Sequence, residues 1–417
     1  MIIKGNFVET KCMGQLHCCS GYMELDKDGA VQGISQELPS GYEGQVLDYG
    51  DCLILQSFAD IHLHAPQYPM MGMGMNLPLL DWLDQYTFPL EARCADLDYA
   101  RAIYGQLAKE LIQNGTTQVV MFSSIHTEAT LILMEELEKV GVTGFVGKVN
   151  MDRNGGVNYQ ETTEDSMVET MRFIEESRRF ENLKPVITPR FTPCCTDELM
   201  GELGRMAEAG NLAIQSHLSE NNREIAWVQE LHPDCQQYWE TYAKYGLWNE
   251  KTIMAHCVYS DARERAAMKT AGVLVAHCPN SNVNISSGIA PIWDMVQEGV
   301  QVGLGSDIAG GDEISMFKNM AAAVKSSKSR ALYNEGQPLN PTQAYYMATS
   351  ASQGYFGRGK GFAVGEKLHA VVVRDSILPN TGELSLQQRL DRAIHRTEKD
   401  QIVAVFSQGR DVLPLTK

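Results

Sequence analysis

The stretch FADIHLHAPQ, residues 58–67, places two histidines one residue apart at the end of a short apolar run. The segment that leads to them contains no Asn, Gly or Pro, so it predicts the end of a β-strand. Side chains alternate across a strand, and His62 and His64 therefore share one face. Two imidazoles on one face can bind one zinc or iron ion. The alternative is a pair of polar histidines without a metal, and the rest of the chain has to decide.

Length and composition limit the class of protein. The chain has 417 residues, of which 44% are hydrophobic, and this suits one large α/β barrel with an added module. No apolar run reaches the length of about 18 residues that a membrane span needs. The first residues, MIIKGNFVET, lack the basic and apolar regions of a secretory signal. We therefore expect neither a membrane span nor export.

The net charge and the cysteines limit which partners the protein can bind and in which compartment it can reside. The net charge is −17, from 35 basic and 52 acidic residues, and an acidic chain repels the phosphates of nucleic acids. The ten cysteines are scattered and form no C-x-x-C pair, so they do not suit a zinc ribbon or a redox dithiol. Free thiols in a reducing compartment are the simplest account, which predicts a cytoplasmic protein with no nucleic-acid partner.

Short apolar runs alternate with longer helical patterns through the middle of the chain. The eight runs are QSFADIHLHA, TQVVMFSS, TGFVGKVNM, KPVITPRF, LAIQSHLSE, KTIMAHCVY, GVLVAHCPN and VQVGLGSDIAGG. This alternation predicts parallel βαβ units, and eight units predict a closed (β/α)8 TIM-like barrel. Both chain ends, at 1–10, 44–55, 368–375 and 401–413, contain further β-like runs.

Reactive side chains stand at the carboxyl ends of these runs, where such barrels carry their function. In chain order they are His62, His64, Arg190, Phe191, His217, Glu220, His256, His277 and Asp307. Three imidazoles and one carboxylate, with room for water, suit a catalytic metal site better than a closed structural one. A divalent metal in such a site lowers the pKa of bound water toward about 7.

Each of these residue types has a chemical use. Glu220 follows His217 by a short loop, so its carboxylate can shuttle a proton. Asp307 can bind the metal and accept the water proton, and His256 can stabilise developing charge. Alone, His217 and Glu220 would also fit a solvated helix start, and Asp307 would fit a helix N-cap. Combined with the H-x-H pair, the pattern favours the metal site.

The remaining histidines have weaker signals. His277 either touches the site or supports the neighbouring CPNSN loop, and the sequence leaves both readings open. We interpret His126, His232 and His395 as structural or surface residues, because none of them ends a predicted strand with a partner nearby.

The order of H-x-H, a fifth-strand His, a sixth-strand His and an eighth-strand Asp resembles the amidohydrolase superfamily. Within it the chain is most similar to the guanine deaminases. The matching stretches are HLHAPQY (62–68), LPLLDWLDQYTFP (77–89), NGTTQVVMFSSIHT (114–127), TPRFTPCC (188–195), QSHLSEN (215–221), MAHCVY (254–259), AHCPNSN (276–282) and GLGSDIAGG (303–311). The resemblance implies a small β-sandwich built from residues 1–57 and 365–417, and a catalytic (β/α)8 barrel over 58–364.

The resemblance also implies an activity and a set of roles. The activity is hydrolysis of guanine to xanthine and ammonia, a step of purine catabolism, by a homodimeric aminohydrolase. One divalent metal, Zn²⁺ or alternatively Fe²⁺, maps to His62, His64, His217 and Asp307. The catalytic residues map to Glu220, His256 and Asp307, and the substrate contacts to Gln67, Arg190, Phe191, His217 and Glu220. An amide can read a purine edge, a guanidinium can bind the oxo group, and an aromatic ring can stack on the base.

The chain departs from the family pattern at several places. Gln56–Ser57 replaces the usual Pro-Gly, Ile61 replaces Thr, and His369 stands where Asp is usual. The Met-rich loop 69–76 either shapes the pocket or is a surface loop. Two other functions therefore stay open: a related deaminase or chlorohydrolase acting on a pterin or triazine, and a non-catalytic binding protein. The first would differ at Gln67 and Arg190, and the presence of every ligand argues against the second.

Overall fold

The computed structural model describes residues 1–156, 158–333, 336–359, 361–376 and 382–417. These residues form two β-sheets and the helices around them. The strands are β1 (Ile2–Cys12), β2 (Gln15–Leu25), β3 (Val31–Ser35), β4 (Val46–Gln56), β5 (Phe58–His64), β6 (Thr116–Phe122), β7 (Thr143–Gly147), β8 (Val149–Asn150), β9 (Leu183–Pro189), β10 (Ala213–Leu218), β11 (Thr252–His256), β12 (Leu274–His277), β13 (Gln301–Leu304), β14 (Ala370–Val373), β15 (Ile402–Ser407) and β16 (Arg410–Asp411).

The larger sheet is a parallel barrel. Its strands follow the order β5, β6, β7, β9, β10, β11, β12 and β13, and the short β8 pairs with β9. Two backbone hydrogen bonds join the last strand to the first: Asp307 N donates to His62 O at 2.8 Å, and His64 N donates to Ile308 O at 2.9 Å. Each of the eight predicted runs contains one of these strands. The predicted (β/α)8 barrel is confirmed.

Helices surround the barrel, line its mouth and pack against the smaller sheet. They are α1 (Leu79–Trp82), α2 (Phe88–Ala92), α3 (Leu97–Gln113), α4 (Thr127–Lys139), α5 (Thr163–Glu176), α6 (Asp197–Gly210), α7 (Asn222–Leu231), α8 (Glu240–Ala243), α9 (Ala262–Ala271), α10 (Pro279–Asn284), α11 (Ile292–Glu298), α12 (Met316–Ala331), α13 (Pro341–Tyr346), α14 (Ser352–Gly354) and α15 (Leu386–Arg396). Side-chain caps begin several of them: Asp96 accepts from two backbone N–H groups of α3, and Thr196 from one of α6. Every residue of β5 and β6 is buried, as expected for parallel strands covered on both faces.

The smaller sheet takes strands from both chain ends. Its order is β16, β15, β14, β4, β1, β2 and β3. β14 runs antiparallel to β4, and β1 runs parallel to β4. The predicted strands at both ends are therefore present. Strands β2 and β3 were not predicted, because β2 begins with the exposed polar stretch QLHCCS, which has no buried face. The proposed domain boundaries at 57 and 365 stay a prediction.

Buried hydrogen bonds join this sheet to the barrel. The hydroxyl of Tyr345 donates to Val8 O at 2.9 Å and accepts from Gln56 N at 2.8 Å. His369 is buried at the same junction, where its Nδ1 lies 3.1 Å from Thr117 Oγ1. The unusual histidine is therefore a packing residue between the two sheets, far from the carboxyl ends of the strands. No helix in the described part of the chain is long and apolar enough to cross a membrane.

Candidate active site

Four histidines and an aspartate meet at the carboxyl ends of the barrel strands. His62 Nε2 and His64 Nε2 each lie 3.3 Å from Asp307 Oδ1. His64 Nε2 lies 3.2 Å from His217 Nε2, and His256 Nε2 lies 3.7 Å from Asp307 Oδ2. Two overlapping groups could each hold a metal ion, and within each group the ligand atoms lie within 4.8 Å of one another. The first group is His62, His64 and His217, and the second is His62, His256 and Asp307. The structure thus brings together every residue that the sequence placed at the metal.

Hydrogen bonds orient two of these rings. His217 Nδ1 donates to the carbonyl oxygen of Arg190 at 2.6 Å, and His256 Nδ1 lies 2.9 Å from Asn282 Oδ1, which accepts. Each bond fixes the ring with Nε2 toward the centre of the cluster, as is usual for histidines that bind metals. The sequence analysis did not assign Asn282, because its role depends on how α10 packs beside β11.

The loops that follow these strands contain strained backbone. Ser219, His256, Cys257 and Asp307 have φ values of 48°, 70°, 50° and 48°. Such left-handed conformations are uncommon for residues other than glycine and persist only where the surroundings impose them. Here Cys257 N donates to Leu218 O at 3.0 Å, which ties the end of β11 to that of β10. Hydrogen bonds of this kind therefore hold the strained residues, and with them the functional side chains, at the mouth of the barrel.

The ionisation of the cluster suits a cation. Burial lowers the pKa of His62, lowers that of His64 to about 4, and lowers that of His217 well below its usual value. Burial opposes ionisation of Asp307, but His62 and His64 hold its pKa well below the ordinary value. His62 Nδ1 is buried without a partner, and His62 Nε2 faces Asp307 Oδ1 at 3.3 Å without hydrogen-bond geometry. Neutral imidazoles around an ionised carboxylate are the donors that a divalent metal requires.

Glu220 lies beside this cluster on the loop after β10. Its Oε2 is 3.5 Å from His256 Nε2, and its Oε1 accepts a hydrogen bond from Ser287 Oγ at 3.0 Å. Burial, with the negative charge of Asp307, raises the pKa of Glu220 to about 8 in the metal-free chain. This carboxyl group can therefore both hold and release a proton near neutral pH, as an acid–base residue must.

Two further carboxylates hold the turn that carries Glu220. Glu224 Oε2 accepts from the backbone N–H of Glu220 at 2.9 Å, and Glu224 Oε1 accepts from the hydroxyl of Tyr238 at 2.7 Å. Glu264 Oε2 accepts from Ser219 Oγ at 3.0 Å. All of these groups are buried. The position of Glu220 is therefore fixed from the side away from the metal cluster.

A pocket opens beside the cluster, and His64, His217, His256 and Asp307 are among the residues that line it. Its walls contain all five predicted substrate contacts: Gln67, Arg190, Phe191, His217 and Glu220. Four apolar residues that the sequence analysis did not assign complete the walls: Leu79, Trp82, Leu83 and Ile285. Three of these four belong to the LPLLDWLDQYTFP stretch. The sequence signal for these three residues was the match of that stretch to the family, but the match gave none of them a role.

One wall contains a buried ion pair. Arg190 Nη1 donates to Glu91 Oε2 at 2.7 Å, and Arg190 Nη2 donates to Glu91 Oε1 at 3.1 Å. Gln67 Nε2 donates to Glu91 Oε1 at 2.7 Å, and Gln67 Oε1 accepts from Ala309 N at 3.1 Å. Sequence reasoning missed Glu91. The only signal was a charged residue among the apolar neighbours of FPLEA, a pattern that many helices show.

The other histidines lie outside the pocket. His277 on β12 is buried with its Nδ1 unpartnered, and it borders a separate small cavity near α11 and α12. His126 precedes α4, His232 Nδ1 lies 3.3 Å from Asp197 Oδ1, and His395 is exposed on α15. The open question about His277 is thus answered in part, because its side chain is absent from the pocket walls.

The Met-rich loop lies behind the pocket. Met70 is buried, and Met71 and Met75 pack against the same apolar cluster as Trp82. Trp82 Nε1 donates to Met73 O at 3.0 Å. The loop therefore supports one wall of the pocket from the outside and shapes it indirectly.

Comparisons with known proteins agree with this geometry. The amidohydrolase family matches residues 53–412. A guanine deaminase of Dictyostelium discoideum is 40% identical over 330 residues, which cover 78% of this chain and 73% of that protein. A guanine deaminase of Rattus norvegicus is 37% identical over 378 residues, covering 87% of this chain and 83% of that protein.

A solved structure extends the likeness to the whole fold. The crystal structure of guanine deaminase from C. acetobutylicum, with guanine bound in its active site, has a TM-score of 0.95 and 38% identity to this chain. The match covers 98% of this chain and 99% of that one. The resemblance seen in the sequence is confirmed: the chain belongs to the amidohydrolase family and, within it, to the guanine deaminases, which are hydrolases of C–N bonds in cyclic amidines.

Proposed function

We propose that this chain hydrolyses guanine to xanthine and ammonia. The observation that carries the proposal is one buried pocket with donors for an oxo-purine at one end, and a histidine–carboxylate cluster with an acid–base residue at the other. The relatives named above support guanine as the substrate. A pterin or triazine is the competing substrate class, and such a ligand would have to use the same donors of Gln67 and Arg190.

The residues fit a single divalent metal. His62, His64, His217 and Asp307 would hold it, because their ligand nitrogens and carboxylate oxygen converge and His62 Nε2 makes no hydrogen bond of its own. Imidazole and carboxylate ligands suit Zn²⁺, which we expect, and also Fe²⁺. The bound metal would supply acidity to a water molecule, lowering its pKa toward about 7.

The protein side chains would move the protons. Water adds to C2 of the purine, and Glu220 takes its proton and passes it to a ring nitrogen. C2 then holds both the new hydroxyl and the amino group, and it expels ammonia once the amino nitrogen is protonated and the hydroxyl has lost its proton. His256, whose Nε2 lies between Glu220 and Asp307, hydrogen-bonds the attacking oxygen. Asp307 then takes the proton of the new hydroxyl, and this proton reaches the amino nitrogen, so the C2 oxo group forms as ammonia leaves.

The opposite end of the pocket would read the purine. Arg190 and Gln67 present N–H donors to the oxo group and to a ring nitrogen. Phe191 is buried in the wall, with its ring centroid 6.3 Å from that of Trp227, so it offers a face or edge to the base. Leu79, Trp82, Leu83 and Ile285 are the apolar part of the lining, so the polar groups at the two ends of the pocket fix the orientation of the base.

The proposal includes a setting for the enzyme. We expect a homodimer in the cytoplasm with a small purine as its only ligand besides the metal. The ten free cysteines support a reducing compartment, and closed twofold dimers are the commonest soluble assemblies. The reaction would serve purine catabolism.

Ammonia release from a panel of free heterocycles tests the substrate. Metal-loaded protein is mixed with guanine, a pterin, an aminotriazine and a chlorotriazine, and ammonia and chloride are measured. The proposal expects guanine to give the highest kcat/KM by a wide margin. A faster reaction with a pterin or triazine would overturn the guanine assignment while leaving the hydrolase assignment in place.

A further inference from the structure

We propose that Glu91 makes the pocket selective for neutral oxo-purines over anionic ones, because it cancels the charge of Arg190 and orients Gln67. The inference rests on the proposed function, since it concerns guanine as substrate and xanthine as product. Glu91 would touch neither molecule; it would act as a positioning residue through its two partners.

The ion pair is fully buried and bidentate. Glu91, in α2, is 0% exposed and Arg190 is 2% exposed. The two carboxylate oxygens accept from two different guanidinium nitrogens, at 2.7 and 3.1 Å. The guanidinium carbon also lies 5.0 Å from the centre of the Phe88 ring. A planar pair in this geometry stays together and carries no net charge.

Glu91 also decides which way the Gln67 amide points. Its oxygen accepts from Gln67 Nε2, and the amide oxygen of Gln67 accepts from the backbone N–H of Ala309. One amide hydrogen of Gln67 and the guanidinium hydrogens that Glu91 does not use remain for a ligand. This wall of the pocket therefore offers donors without net charge, which match a neutral carbonyl oxygen or ring nitrogen.

Glu91 is the carboxylate that pairs directly with Arg190, whereas Asp307 and Glu220 line the same pocket at its metal end. The titratable groups around the pair are His64, Tyr159, Cys94 and Cys194. Burial raises the pKa of Tyr159 well above its usual value and raises the pKa of both thiols to about 12. His64 belongs to the metal cluster. These phenol and thiol groups stay neutral near pH 7, so the charge balance at this wall depends on Glu91.

The charge balance matters because the product is more acidic than the substrate. Hydrolysis replaces the amino group of guanine by an oxo group, and xanthine loses a proton more readily than guanine. A buried guanidinium without a counter-ion would attract the xanthine anion strongly, since Coulomb energies rise in a medium of low dielectric constant. With Glu91 in place, the wall favours neither charge state, and the anionic product leaves.

Glu91→Gln tests this inference. The inhibition constant of xanthine and the KM of guanine are measured in wild type and variant at pH values below and above the pKa of xanthine. The quantity compared is the guanine KM divided by the xanthine inhibition constant. In the variant we expect this ratio to rise about tenfold or more as xanthine ionises, because Arg190 is then a buried charge without a counter-ion. In the wild type this ratio changes much less.

Glu161→Gln is the matched control. Glu161 pairs with the buried Lys148 at 2.7 Å, away from the pocket, so the same substitution breaks a buried ion pair elsewhere. This control should keep the wild-type ratio at every pH, even if it lowers stability.

The double variant Glu91→Gln with Arg190→Gln replaces the single variant in the test if the single variant does not fold. It removes both charges, and its ratio should follow the wild-type pH dependence.

Two results would overturn the inference. One is a parallel loss of guanine and xanthine affinity in Glu91→Gln at all pH values, which is what a purely structural role predicts. The other is a double variant whose ratio departs from the wild-type pH dependence. Wild-type protein that does not convert guanine at all contradicts the proposed function itself, so the two failures are distinguishable.

Discussion

The two ends of the pocket differ in whether their buried polar groups have partners within the protein. At the metal end, His62 Nδ1 has no partner, His62 Nε2 faces Asp307 without a hydrogen bond, and Asp307 and His256 occupy strained backbone positions. At the purine end, the carboxylate of Glu91 and the amide of Gln67 are paired with protein donors and acceptors. Buried polar groups without partners are costly. The metal end is therefore incomplete without a cation, whereas the purine end is complete before the substrate arrives.

This difference predicts how each end responds to change. Substitutions at the metal end should remove chemistry, and a cation should restore stability there. Substitutions at the purine end should break a finished network, so they should cost folding stability as well as affinity. The predictions below run from the largest expected effect to the smallest.

The double substitution His62→Ala and His217→Ala should abolish both metal binding and turnover, because it removes two of the four ligands. Elemental analysis and guanine turnover are measured on the same sample. Full metal occupancy in this variant would contradict the assignment of the ligands.

Glu220→Gln should lower kcat by about 10²–10⁴-fold, the usual contribution of a positioned acid–base group. The amide keeps the size of the side chain and can still accept from Ser287, so metal content and guanine affinity should stay near wild type. Steady-state kinetics combined with metal analysis distinguish a role of Glu220 in proton transfer from a role as a metal ligand. Loss of the metal, with proportional activity per remaining ion, would make Glu220 a ligand.

Arg190→Ala should weaken both folding and substrate binding. Removal of one partner leaves Glu91 buried and uncompensated, which costs about 3–5 kcal/mol of unfolding free energy. The lost hydrogen bond to the oxo group costs about 1.5–3 kcal/mol in kcat/KM. Denaturant unfolding and kinetics measure the two effects. Unchanged stability would mean that the pair with Glu91 is absent in solution, and unchanged kcat/KM would remove Arg190 from the substrate site.

Ser287→Ala should have the smallest effect and a defined sign. The Ser287 hydroxyl donates to Glu220 and lowers the pKa of that carboxyl group, against burial and the charge of Asp307, which raise it. Its removal should raise the pKa of Glu220, so the rise of kcat with increasing pH should move to higher pH. A bound cation lowers that pKa in both proteins and leaves the difference. If the rise of kcat with increasing pH stays in place or moves to lower pH, the hydrogen bond from Ser287 to Glu220 is contradicted.

The same contrast explains what could be predicted from the sequence. His62, His64, His217 and Asp307 sit at strand ends, where one local pattern fixes both the residue and its direction. Glu91 lies in a short helix far along the chain from Arg190, and only tertiary packing brings the two together. Asn282, in the short helix α10, and Ser287, just after it, likewise reach the site from a segment without a periodic pattern. Strand β2 escaped prediction for a similar reason, since its first half buries no face.

The central claim is that the histidine–aspartate cluster needs one cation to convert guanine. The most direct test is a titration of chelator-treated protein with Zn²⁺, followed by ultraviolet absorbance as guanine becomes xanthine, with ammonia measured in parallel. The account predicts no turnover in the metal-free protein, and activity that rises linearly and levels off at about one ion per chain. Full guanine turnover without metal, or saturating metal without any xanthine, would contradict it.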